Sequence, residues 1–493
     1  MPIESIHYQR NLTIRLSNKL LRQPIFSVCI FLRFNTLMVK FYHDYRKKQE
    51  FHTMVNSRYN HALSYLSKFN GRTMNRKNGF HHQIMRDLLE LFSIHLTEFQ
   101  FIQITGSCGK GSTAHFISAI LTQHSYPHGL FTGPHLTHYE ERFSHNGKRI
   151  DREDFITLVE VVENKLSNYE FEQYVAHMHI MIVIALLYFK QQGLQLIVFE
   201  NGVGGKTDPS NVIDPLIAVF TEITMDHSHL LGATIEDIII DKSCIIKEST
   251  QYAICGMNNV QARNYLLKLE ALDETKFHFI NRDYGFIMKQ SDKNGSIFYY
   301  KGNYFLIEKQ QLQMLGTHQI QNASNALAVS EALIEMGYSF DKEKIMHALR
   351  HVQSSCRMEL LEIEGQQFLF DGAHNSLELR TLKENIDSLN MPISIVIMSI
   401  SSNKEISTML RSIEIPNAIY VFTPHPFLER NSSSEDIHHT LRSIGKTNYI
   451  FLDNIADVFD YVFHQIQRTG IVLVTGSLYL VGYVKDYFIE HTT

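Results

Sequence analysis

One ten-residue segment constrains the fold of this chain more than any other: ITGSCGKGST, Ile104 to Thr113. It closes FQFIQIT (Phe99 to Thr105), an apolar run with the length and flanks of a buried strand, and leads into helical text over Ser112 to His124. Gly106, Gly109 and Gly111 let backbone N–H groups approach an anion with no Cβ in the way. The helix start adds partial positive charge and Lys110 a full one, while Ser112, or Thr113 beside it, offers a hydroxyl to a metal ion. The spacing G-x-x-G-K-G-S is shorter than the usual G-x-x-x-x-G-K-[ST], so this is a variant phosphate loop. A plain strand–helix turn is the bland alternative, but packing alone does not account for a lysine between two glycines.

Further strands follow at LQLIVFE (Leu194 to Glu200) and PLIAVFTEI (Pro215 to Ile223), separated by helical text. Such alternation predicts an α/β fold with a parallel, doubly wound sheet. Residues Asp283 to Glu308 read as inserted hairpins, and a helix over His318 to Gly337 closes the first α/β series. A second series begins near His351 to Cys356, with strands at QQFLFDG, PISIVIMSI, AIYVFTP, YIFLD and GIVLVTG, the pattern of a smaller Rossmann-like domain. The expected division is therefore 1–53, 54–350 and 351–493, and ligands in such sheets bind at the carboxyl ends of the strands.

Net charge is −5 over 493 residues, so no global basic field argues for nucleic acid. The five cysteines are scattered without a CxxC pair, which fits a reducing cytoplasm rather than a disulfide framework or zinc ribbon. The longest apolar stretch, Val175 to Phe189, carries His177 and His179 and falls short of a membrane span, so it reads as a buried helix. Residues 1–53 hold nine Lys or Arg against three Asp or Glu. Because a regular amphipathic helix begins at Met54, that segment is expected to be dispensable, with Met54 or Met38 as the true start. A targeting peptide and an accessory arm are the alternatives, and loss of soluble activity on deleting 1–53 would refute dispensability.

The phosphate loop resembles the GTNGKGS loop of the folylpolyglutamate synthase and dihydrofolate synthase family. Further blocks resemble that family in the same order: GLFTGPHLTHYEERFSHNGKRI, ENGVGGKTDPSNVI, MDHSHLLGATIEDIIIDKSCIIKE, LGTHQIQNASNALA, CRMELLE, FDGAHNS and VTGSLYLVGYV. The resemblance implies a Mur-ligase fold, with a P-loop-containing ATPase domain followed by a smaller Rossmann-like domain. It also implies an ATP- and Mg²⁺-dependent ligase joining L-glutamate to a folate or pteroate-type acceptor through an acyl phosphate. A monovalent cation is a further candidate cofactor. A monomer in the cytoplasm, with no nucleic-acid or membrane partner, is expected.

By resemblance, Gly106, Gly109, Lys110, Gly111, Ser112 and Thr113 bind the phosphates, and His318, Asn322, Arg357, Asp371 and His374 complete the ATP site. Ser112, Glu200, His227 and, if carbamylated, Lys242 are the implied metal ligands. Lys110, Lys242 and His227 are the implied catalytic groups. Any one of the chain's 27 histidines is unremarkable by itself, and the motif alone singles out His227. Several residues depart from the family pattern. Gly133 replaces a serine that helps hold Mg²⁺, Cys108 replaces the loop's asparagine, and His179 stands where a glutamate is usual. The loop that shapes the folate side has no counterpart in 69–82. A Mur-type ligase with another acceptor, or a catalytically degenerate nucleotide-binding relative, are the alternatives.

Overall fold

The structure, a computed structural model, describes residues 54–72, 74–271, 275–401, 406–425, 431–465 and 470–492. Expectations for residues 1–53 lie outside them. The described chain forms two compact units: one contains a helix over 54–67, and the other, Phe69–Thr493, holds everything below. Among the described residues no helix is long and apolar enough to cross a membrane.

The apolar runs without period-2 alternation become strands covered on both faces. The first sheet comprises β1 (Gln100–Thr105), β2 (His128–Phe131), β3 (Phe143–His145), β4 (Lys148–Arg149), β5 (Leu196–Glu200), β6 (Ile217–Phe220), β7 (Tyr252–Cys255) and β8 (Lys276–Phe279). Among the described residues its order is β4-β3-β2-β5-β1-β6-β7-β8. β2 and β5–β8 run parallel with β1, and β3 and β4 form an antiparallel edge. β6 shows the two-sided packing directly. Ile217 and Val219 join a core with Ile117 and Ile120 of the helix Lys110–Gln123 and with Leu327 of the helix Thr317–Glu335. Ala218 and Phe220 face the opposite way, into a core with Ile238 and Ile239 of the helix Ile235–Ser243.

The hairpin segment is a separate antiparallel sheet of β9 (Gly285–Asp292), β10 (Gly295–Lys301) and β11 (Leu306–Leu312). It is tied to the long helix by Glu331, whose carboxylate accepts the N–H groups of Asn303, Tyr304 and Phe305 at 3.0–3.2 Å.

The second large sheet has the order β12-β13-β17-β14-β15-β16, with β12 (Glu359–Ile363), β13 (Gln366–Phe370), β14 (Ile393–Met398), β15 (Ile419–Phe422), β16 (Tyr449–Phe451) and β17 (Ile471–Thr475). The five expected strands are parallel, and β12 adds an antiparallel edge that the apolar pattern did not announce. The turn into β13 is Glu364–Gly365, both at positive φ (50° and 73°), the geometry of a tight two-residue hairpin. Two adjacent side chains join the halves: Met314 packs in the first core and Leu315 in the second.

His179 lies in the buried helix His177–Gln191. Its Nδ1 accepts the Ala176 N–H at 3.0 Å and its Nε2 donates to the His81 carbonyl at 3.0 Å. Burial lowers its pKa to about 4, so the ring is neutral and fully used in holding two chain segments together. Replacing it with leucine strands two buried backbone groups, each costing about 1–3 kcal/mol. His179→Leu should therefore lower the urea midpoint of unfolding clearly without changing its slope.

Candidate active site

The phosphate loop sits at the carboxyl end of β1, where β5 on one side and β6 on the other bring further strand ends alongside. The helix begins at Lys110, two residues earlier than its sequence pattern suggested, with Gly109 at the cap in the left-handed region (φ 86°). The first N–H groups of a helix have no partner within it, so those of Lys110, Gly111 and Ser112 head the helix as donors. The Thr113 N–H closes the first turn on the Gly109 carbonyl at 3.0 Å. Upstream, the Ser107 and Cys108 N–H groups donate to the Glu222 carbonyl at 2.8 and 3.3 Å, which fixes the loop against the end of β6. A Cβ at Gly106 would collide with Thr221 Oγ1, and one at Gly109 with Asn322 Oδ1. Alanine at Gly109 therefore meets both a positive φ and an occupied space. Gly109→Ala should weaken nucleotide binding by at least about tenfold, read by calorimetric titration with ADP, as Asn322 is displaced.

Two lysines converge on one carbonyl. Lys110 Nζ donates to Gly106 O at 3.1 Å and Ser107 O at 3.4 Å, and Lys242 Nζ donates to Gly106 O at 2.8 Å. Lys242 is buried, and that burial, helped by the charge of Lys110, lowers its pKa to about 7. Its helix is clasped to the glycine-rich turn after β5: Asp241 accepts the Gly205 N–H at 2.7 Å and the Thr207 hydroxyl. A Cβ at Gly205 would come within 2.6 Å of the Asp241 and Lys242 carbonyls, so glycine is what permits this approach. Asp208 staples the turn through the N–H groups of Val203 and Ser210, and Asn211 bonds the Cys244 carbonyl, so both serve the framework.

Glu200 ends β5, buried, with Oε2 accepting the Gly133 N–H at 3.0 Å. A Cβ at Gly111 would lie 3.2 Å from the same oxygen, so the carboxylate stands against the first turn of the phosphate-loop helix. Burial raises its pKa, opposed by Lys110, the Gly133 N–H, Arg357 and Arg142. A desolvated carboxylate beside a helix start and the Ser112 hydroxyl fits a hard divalent cation, which takes oxygen ligands and leaves positions for water and phosphate. Among the described residues no group of three or more His, Cys, Asp or Glu side chains is placed to hold a metal by itself. His227 stands in a turn at φ 51°, its side chain 38% exposed and its Nε2 3.5 Å from Asp226 Oδ2.

A cavity of about 570 Å³ opens beside this corner, lined by Ser112, Gly133 and Glu200 from the first half and by Arg357 and Lys485 from the second. Asp371 is buried behind Arg357 and accepts the N–H groups of Met358 and Ala373, both at 2.9 Å. Burial, against the pull of Arg357, takes its pKa up to about 6. His318 has a pKa lowered to about 4 by burial and by Arg357. Its Nε2 meets Gln319 at 3.1 Å, while its buried Nδ1 has no hydrogen-bond partner. Asn322, one turn on, lies 3.4 Å from Thr113 Oγ1. His374 Nδ1 lies 3.1 Å from both the Gly372 carbonyl and Glu378 Oε2.

Residues 104–330 match the Mur ligase middle domain and residues 356–478 the Mur ligase glutamate ligase domain, together more than two thirds of the chain. The dihydrofolate synthase/folylpolyglutamate synthase of Bacillus subtilis is 29% identical over 396 residues, 78% of this chain and 89% of that one. The folylpolyglutamate synthase structure from Thermotoga maritima superposes with a TM-score of 0.74 at 27% identity, covering 88% of this chain and 97% of that one. The chain belongs to the Mur ligases. A Mycobacterium tuberculosis folylpolyglutamate synthase complexed with ADP shares the fold, with a TM-score of 0.78 at 21% identity over 88% and 99% of the two chains.

In this Mur ligase the departure at Gly133 has a structural counterpart. A Cβ there would lie 2.7 Å from Arg142 Nη1, so a guanidinium fills the room of a side chain. Arg142 is buried, and its Nε donates to His135 Nδ1 at 2.8 Å, with His135 kept neutral by a pKa lowered to about 2. Nothing in the sequence around Arg142 signals this role. Glu378 was missed altogether. Its Oε1 lies 3.9 Å from the Cys108 thiol of the phosphate loop, a contact between residues 270 positions apart. Burial pushes that thiol's pKa up to about 12, so it stays protonated.

Proposed function

We propose that this Mur ligase adds L-glutamate to a folate, to dihydropteroate, or to both, through an acyl phosphate formed with ATP. Residues 54–350 would bind the nucleotide and 351–493 would bring the second set of contacts across the cavity. The observation that carries this reading is the placement of Glu200, buried against the phosphate-loop helix with Arg357 across the cavity. The chemistry needs charge neutralised on a transferring phosphoryl group and two anionic substrates brought together, and it needs no covalent nucleophile.

Gly106, Gly109, Gly111 and Thr113 would shape the loop around the triphosphate, with Lys110 leaving its own carbonyls for the phosphate oxygens. His318, with its orphaned Nδ1, would meet the nucleotide beside Asn322, and Asp371 would hold the segment carrying Arg357. Ser112 and Glu200 would hold Mg²⁺, with His227 and a carbamylated Lys242 as ligands of a second site. Mg²⁺ would supply Lewis-acid stabilisation of the transferring phosphoryl group. A lysine amine with its pKa lowered to about 7 has a substantial share of the neutral form that attacks carbon dioxide. Turnover should therefore fall severalfold in bicarbonate-free buffer and recover on adding bicarbonate, whereas Lys242→Met should stay impaired in both. A monovalent cation is a further candidate cofactor, and a cytoplasmic monomer the expected form.

The deciding assay uses the full chain with ATP, Mg²⁺, L-glutamate and either dihydropteroate or tetrahydrofolate, following ADP and product mass. ADP and a glutamyl adduct with a pteroate-type acceptor support the proposal. A Mur-type ligase with another acceptor is the second reading. It is favoured by residues 69–82, which lack the family's folate-side loop and instead clasp the glycine-rich turn, Arg76 Nε donating to Thr207 O at 3.2 Å and His82 Nε2 meeting Asp208 O at 3.1 Å. ADP formation with neither acceptor would favour it, and no nucleotide turnover at all would point to a degenerate relative.

A further inference from the structure

The helix Ser376–Ser388 starts opposite the phosphate loop, with Asn375 at its cap accepting the Glu378 N–H at 3.0 Å. Glu378, on its first turn, aims one oxygen back at the chain before the helix and the other at the loop. Oε2 accepts the His374 N–H at 3.1 Å and lies 3.1 Å from His374 Nδ1, while Oε1 faces Cys108. Nδ1 also lies 3.1 Å from the Gly372 carbonyl. Both of its neighbours are acceptors, and a carbonyl oxygen cannot donate, so Nδ1 must carry the hydrogen. Nε2 of the neutral ring then presents a lone pair, and the side chain is 42% exposed.

The Gly372 carbonyl takes the Nδ1 hydrogen and fixes the tautomer, and a carboxylate beside the ring that stabilises the imidazolium completes the arrangement of a supported general base. The proposed reaction requires such a base, because an amino acid brings its nucleophile as an ammonium. Resting on the acyl-phosphate reading above, and in place of the nucleotide contact that its motif implies, we propose that His374 accepts the proton of the incoming amino group and that Glu378 is the positioning residue whose charge supports the imidazolium. Nε2 takes one proton from the ammonium. The freed nitrogen lone pair forms the C–N bond at the acyl carbon, the C–O bond to phosphate breaks, and its electron pair leaves with the phosphate. The second proton on nitrogen goes to the departing phosphate, and the exposed imidazolium returns its own to solvent.

The charged and titratable groups around the pair are Lys110 and Cys108 on the loop, Arg357 and Asp371 in the second half, and His318. A simpler role is available to Glu378: its bond to the His374 N–H also caps the helix start. Glu378→Gln separates the two, since the amide keeps an acceptor oxygen and loses the charge.

The test compares two nucleophiles in the full-length protein with ATP, Mg²⁺ and whichever of dihydropteroate or tetrahydrofolate supports turnover. L-glutamate needs deprotonation, whereas hydroxylamine is largely unprotonated at neutral pH and traps an acyl phosphate as a hydroxamate without help from a base. In E378Q, glutamate ligation should fall about 10- to 100-fold, with the acid limb of its pH profile moved to lower pH, while hydroxamate formation stays within about threefold of wild type. Asn375→Ala, which removes the cap alone, should lower thermal stability and leave the ratio of the two rates unchanged. Equal losses with both nucleophiles in E378Q, or no loss with either, would overturn the role of Glu378. Hydroxamate absent from the wild-type protein as well would instead remove the acyl phosphate itself, and this proposal with it.

Discussion

Lys110→Ala should form product at least about a thousandfold more slowly than wild type while keeping its fold. The side chain reaches back to the Gly106 and Ser107 carbonyls of its own loop, so circular dichroism and melting temperature should barely change. What disappears is the loop's own full positive charge at the point where phosphoryl charge must be neutralised. A preorganised cation in such a site is worth about 4 kcal/mol or more, which is about three powers of ten in rate. Single-turnover measurement of ADP release would read this, and near-wild-type rates would remove the loop from the mechanism. Lys110→Arg should recover little, because a planar fork does not replace a compact ammonium between glycines.

Glu200→Gln should be nearly as damaging, with about a hundred- to thousandfold loss of turnover. The amide is isosteric and can still accept the Gly133 N–H, so folding is preserved. It no longer carries the charge that draws a divalent cation to the loop, and that is worth several kcal/mol in phosphoryl chemistry. The diagnostic is the magnesium titration: the variant should need far more Mg²⁺ for half-maximal activity, and chelation should abolish activity in both proteins. If its Mg²⁺ dependence matched wild type, Glu200 would be a structural acid.

Much of the fold was legible because long apolar runs leave little choice. FQFIQIT, LQLIVFE and the five runs of the second half are strands close to where the pattern puts them. The omissions are short or local. His128–Phe131, Tyr252–Cys255 and Lys276–Phe279 have four residues each, too few for a periodicity to stand out from the surrounding text. β12 depends on a hairpin at Glu364–Gly365, where positive φ at a glutamate is unusual and the sequence offers only half of the signal. The loop, Glu200 and Lys242, which gather around the carboxyl end of β1, each sit in a contiguous motif visible in the sequence. The pairing of Cys108 with Glu378 is not visible there, since each looks ordinary in its own neighbourhood and only the folded chain brings them together. His179 looked like a disturbed functional position and is instead a fully bonded framework group.

Met314 and Leu315, neighbours in the chain, are anchored in different interiors. A gene split at residue 351 would therefore not yield two self-contained pieces. The downstream fragment would lack the leucine that plugs its interior and would expose a greasy socket, inviting self-association. The upstream fragment would carry that leucine in water. Mixed together, the two should re-form one particle, because each holds the complement the other needs.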